Sequence, residues 1–75
     1  MVKLPIVKPK QVIGALRRLG FLVHHQTGSH ARLIHESQSA RRVTVPIHNK
    51  DIPKGTLANI IRQAGITVDD FVAHL

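Results

Sequence analysis

The chain has 75 residues and a formal charge of +7, from eleven Lys and Arg against four Asp and Glu. That length leads us to expect one small domain over residues 1–75 and excludes a second, while 43% hydrophobic residues are too many for a disordered basic tail. The lack of cysteine excludes a disulfide framework, a thiolate zinc site and a cysteine nucleophile.

So large a charge on so small a chain points to a polyanion, because basic side chains gain affinity for phosphates by releasing condensed counterions. There is no Trp or Tyr, and Phe21 and Phe71 fall at positions expected to be buried. A stacking platform for single-stranded bases is therefore not expected, and binding should rest on phosphate and sugar contacts. The start "MVKLPIVKPKQV" lacks the apolar core of a signal peptide, and no apolar run approaches the roughly 20 residues of a membrane span. A soluble, cytoplasmic protein with no membrane partner is the expectation.

In chain order, Val12, Ile13, Leu16 and Leu19 fall at helical spacing from Pro9 to Leu19, with Gly20 where a C-terminal cap belongs. Lys10, Arg17 and Arg18 occupy the exposed side of this helix. Three strands follow: Phe21–His25, turning at Thr27 and Gly28 into His30–Glu36, then a polar loop and Arg41–Ile47. Alternation places Ala31 and Leu33 toward the helices and His30, Arg32, Ile34, Arg42, Thr44 and Pro46 on the outer face. Pro53 suits the first turn of a second helix carrying Leu57, Ile60, Ile61 and Ala64 and closed by Gly65. Thr67 and Asp70 have the spacing of a capping box, with Phe71, Val72 and Leu75 anchoring a last short helix. The order is α-β-β-β-α plus a C-terminal helix: an α+β two-layer sandwich with the topology of double-stranded-RNA-binding domains.

Six histidines invite a metal reading, but a four-ligand zinc site or a helical His-Glu-x-x-His is absent, and His30 and His35 lie at odd separation, hence on opposite strand faces. No metal site is expected. Acid–base chemistry asks less. Cleavage of RNA by its own 2′-hydroxyl needs one proton removed, one supplied and the phosphate held, for which histidine and Arg, Lys or backbone N–H groups suffice. His30, beside Arg32 on the outer face, is placed for that work; the bland alternative is a solvent-facing strand histidine. At "IPKGTLANIIRQ", free N–H groups and Lys54 favour a phosphate, and Gly55 is read as a close-approach position. His48 is a candidate second proton carrier, against the reading of a turn histidine bonded to backbone. His25 is expected near His30 across the hairpin.

These residues resemble the HicA-like small toxins. The elements that carry the resemblance are "LRRLGF", "GSHARLIH" and, most specific, "VTVPIHNKDIPKGTLANIIRQAGITVDDF". The resemblance implies a double-stranded-RNA-binding-like fold and a type II toxin–antitoxin role, with cofactor-free, metal-independent cleavage of mRNA that inhibits translation and growth. It also implies that His30 of Gly28-Ser29-His30 is catalytic. Gly28, Ser29, Arg32 and Lys54 are then the expected RNA-binding residues. A HicB-like antitoxin is the implied partner, with operator DNA reached only indirectly through it. A non-catalytic RNA-binding module and a protein acting only through an acidic partner are the rival readings.

Overall fold

A computed structural model describes residues 3–75; residues 1 and 2, at the start of the expected domain, lie outside the described residues. The expected elements are present in the expected order: α1 (Pro9–Arg18), β1 (Phe21–Gln26), β2 (His30–His35), β3 (Arg42–Pro46), α2 (Lys54–Ala64) and α3 (Val68–Ala73). The strands form an antiparallel meander in the order β1-β2-β3, and α1 and α2 pack on one face of it.

Each helix ends where its local chemistry dictates. Gly20 (φ 96°) and Gly65 (φ 71°) take the left-handed conformation that a side chain disfavours, and they stop α1 and α2. Thr67 and Asp70 form the expected reciprocal capping box: the Asp70 N–H donates to Thr67 Oγ1 at 3.0 Å and the Thr67 N–H to Asp70 Oδ2 at 3.3 Å. One expectation shifts by a position. Pro53, with extended ψ 145°, is the residue before the helix rather than part of its first turn, and no side chain caps α2.

The core joins the inner face of the sheet to the apolar stripes of the helices. Ala31, Leu33, Val43 and Val45 are buried with Val12, Ala15, Leu16, Leu57, Ile60, Ile61 and Ala64, as period-two and helical alternation require. Phe21 and Phe71 are both fully buried. Val7, before α1, is buried as well, and its carbonyl accepts from the Ile52 N–H at 2.8 Å. That bond draws the segment between β3 and α2 onto the start of α1. No helix of the described residues is long and apolar enough to cross a membrane.

Candidate functional site

Strand direction decides which loops meet. Because β1 and β3 both run antiparallel to β2, the β1–β2 loop, the exit of β3 and the starts of α1 and α2 share one end of the sandwich. The contact is direct: the Ile47 N–H donates to the Ser29 carbonyl at 2.7 Å. Lys10, Gln26, Ile47 and His48 line a groove of ≈ 280 Å³, and Lys8 Nζ reaches the Asn49 carbonyl at 3.3 Å and Asp51 Oδ1 at 3.4 Å. Lys54 opens α2 at this end and is exposed. The topology thus gathers Gly28, Ser29, His30, His48 and Lys54. Arg32 stands two residues along β2, on the outer face with His30.

The β1–β2 loop is built by a residue that the sequence reading treated only as part of the turn. Thr27 Oγ1 accepts from the His30 N–H at 3.0 Å and from the Ser29 N–H at 3.3 Å, and the Thr27 N–H donates to the His30 carbonyl at 2.8 Å. A hydroxyl that folds back on the next backbone groups is a recognised turn former, and the Thr-x-Ser spacing was the available signal. Gly28 plays a different part from the one its place in the turn suggests. Its φ is not positive, and a Cβ added there meets nothing within 4 Å. The same open space lies in front of Gly55. Neither glycine is demanded by the packing of this chain.

The histidines separate by their partners. His30 is exposed, and its Nδ1 lies 2.9 Å from Ser29 Oγ. In the tautomer with the proton on Nδ1, that nitrogen donates to the hydroxyl and Nε2 keeps its lone pair. When Nε2 then takes a proton, the Nδ1 bond is unchanged. His48 is arranged the opposite way. The Lys50 N–H donates to its Nδ1 at 3.1 Å, so neutral His48 carries its proton on Nε2 and is better suited to donate a hydrogen bond than to accept a proton. It is the backbone-bonded turn histidine of the alternative reading.

His35 is structural and lies on the other side of the sheet from His30. Its ring meets Phe21 edge-on, 5.1 Å between centroids, while its Nδ1 accepts from the Ser37 and Gln38 N–H groups at 3.2 Å each. His74 ends α3, its Nδ1 2.7 Å from the Asp70 carbonyl. His25 lies across the hairpin from His30 as expected, on the diagonal rather than directly opposite. β1 has a bulge between Val23 and His25, so that His25 lies opposite Arg32. The extra residue, His24, shifts the alternation by one and turns His25 to the outer face.

A family model described as the HicA toxin of bacterial toxin–antitoxin systems matches residues 9–66, which is most of the chain. The chain belongs to the HicA toxin family. It is accordingly a toxin of the toxin–antitoxin class, whose biological setting is pairing with an antitoxin. No curated protein matches this HicA chain significantly. The matched span starts at the first residue of α1, includes the whole His30 loop, and ends just before α3.

Proposed function

We propose that this HicA toxin is an endoribonuclease that cleaves mRNA in the cytoplasm without a metal or cofactor, with His30 as its general acid or base. The observation that carries the reading is the bonding of His30. Nδ1 is held by Ser29 while Nε2 is left toward solvent, on an end of the molecule rich in Lys and His.

In the reaction, a 2′-hydroxyl attacks the adjacent phosphorus and the bond from phosphorus to the 5′-oxygen breaks. One proton leaves the 2′-oxygen and one reaches the departing 5′-oxygen. His30 Nε2 serves one of these transfers, a contribution of about 10²- to 10⁴-fold. Arg32 on the outer face and Lys54 at the uncapped start of α2 hold phosphate oxygens as negative charge builds. Gly28 and Gly55 leave the backbone open to close approach by the strand, and Ser29 fixes the imidazole. His48 offers its Nε2–H to a phosphate oxygen. As the second proton carrier it would first have to give up the Lys50 bond, so water or a hydroxyl is the better partner for that step. A HicB-like antitoxin is the proposed partner, and operator DNA is reached only through it.

The test compares the wild type with His30→Ala on a long RNA in excess EDTA, following cleavage and binding together. Cleavage by the wild type alone, with binding kept in the variant, is the expected result. Binding without cleavage by either protein would sink the catalytic reading and leave an RNA-binding module.

A further inference from the structure

We propose that the outer face of the sheet is the path of an unpaired RNA strand, with successive phosphates at His30, Arg32 and Arg42 and with Leu22 and Ile34 as the apolar floor beneath its bases. The inference rests on the ribonuclease reading for the polyanion's identity and for the place of cleavage. It adds Arg42, the path of the strand across the sheet and its unpaired state.

Register supplies the ladder. His30 and Arg32 are two residues apart on β2, about 7 Å along a strand. Arg42 lies opposite Ile34 on β3, which makes it the diagonal neighbour of Arg32, about 7–8 Å away. Each step is comparable to one nucleotide of an extended chain. His25 adds a second imidazole directly opposite Arg32. The Arg42 Nε donates to the Ser39 carbonyl at 2.9 Å, which aims the guanidinium, and among the described residues its two Nη groups have no partner. A planar fork held in this way suits a phosphate.

The face is also nearly free of competing acids. Of the four Asp and Glu side chains, Asp51 faces Lys8 at 3.4 Å and Asp69 and Asp70 open α3; Glu36 alone lies on this side, at the far end of the groove that Arg42 also lines. Beyond Arg32 a groove of ≈ 500 Å³ is lined by Leu22, His24, Ile34 and Arg42, among others. Leu22 is 52% exposed and pairs with Ile34 across the strands. An apolar shelf flanked by cations fits a strand whose bases are unstacked and turned down, whereas a duplex hides its base faces. In-line attack by a 2′-hydroxyl also requires the linkage to leave A-form geometry, and an unpaired strand does so readily. A second copy of this chain, itself at +7, would be repelled.

The test measures binding of the intact chain to a 2′-O-methyl oligouridylate of about 12 nucleotides, whose blocked 2′-oxygens prevent the attack, and to a blunt 2′-O-methyl duplex of equal length. Affinities are read from about 50 to 200 mM salt. The single strand should bind more tightly. Arg42→Gln should reduce the magnitude of the salt slope by about 0.7, the value of one phosphate on a single strand, and Arg42→Lys should restore it. Arg17→Gln, on the helical layer, should leave it unchanged. Preference for the duplex, an unchanged slope in Arg42→Gln, a loss found only in Arg17→Gln, or no binding at all would each overturn the proposal. So would an Arg42→Gln defect confined to an acidic antitoxin. Since the probe is not cleaved, absence of cleavage on long RNA would refute the catalytic reading while leaving this result standing.

Discussion

A histidine does acid–base work only if its second nitrogen is provided for, and this chain shows two solutions side by side. Ser29 Oγ serves His30 whether the ring is neutral or charged, because a hydroxyl accepts as readily as it donates. The Lys50 N–H can only donate, which suits His48 to one state. Ser29→Ala should therefore lower the cleavage rate by about 3- to 10-fold, the worth of one hydrogen bond of roughly 1 kcal/mol. Ser29→Thr should recover most of the rate. Equal rates for Ser29→Ala and the wild type in single-turnover assays would remove Ser29 from the mechanism.

At the scale of the element, two glycines that look alike in sequence act differently. Gly20 sits at φ 96°, and a Cβ there would lie 2.8 Å from His35 Nε2; Gly28 has neither constraint. Gly20→Ala should cost about 2 kcal/mol, lowering Tm by about 10 °C in a domain of this size. Gly28→Ala should leave Tm within about 2 °C of the wild type and weaken RNA binding. A thermal melt and a binding isotherm on both variants check the contrast, and a large Tm loss in Gly28→Ala would make that glycine structural after all. The β2–β3 connection has its own device. Arg41 Nε donates to the Ala64 carbonyl at 2.8 Å and its guanidinium lies 5.5 Å from the centre of the Phe21 ring, joining the end of α2 to the sheet.

For the whole molecule, the last helix matters more than its six residues suggest. The family match stops at Ile66, yet Phe71 in α3 is fully buried in the same core, and Arg18 Nη1 donates to the His74 carbonyl at 3.1 Å. A domain of this length has only a single core and few kcal/mol in reserve. Phe71→Ala should cost about 3–5 kcal/mol, enough to leave much of the protein unfolded at 37 °C. Circular dichroism through a urea titration measures it, and an unfolding midpoint like that of the wild type would show α3 to be an appendage.

Most of the scaffold was legible in the residues because its signals are local. Apolar spacing located the helices, alternation assigned Ala31 and Leu33 inward and His30 and Arg32 outward, and Thr67 with Asp70 announced a cap that then formed as expected. Local signals also placed His30 on the outer face just past the turn, while its catalytic role was implied only by the resemblance carried on Gly28-Ser29-His30. What they do not carry is phase and proximity. The bulge at His24 that turns His25 outward depends on how β1 meets β2, and the Thr27 hydroxyl matters only once the chain has turned back on itself. The placing of the β3 exit beside the His30 loop rests on strand direction and on one bond, from Ile47 to Ser29. Val7, before the first helix, gave no periodic signal, yet it is buried in the core and its carbonyl is tied to the Ile52 N–H from the far side of the chain. Periodicity belongs to single elements and was determined by the sequence alone; register, and the meeting of loops distant along the chain, arises between elements, and only the tertiary structure decided it.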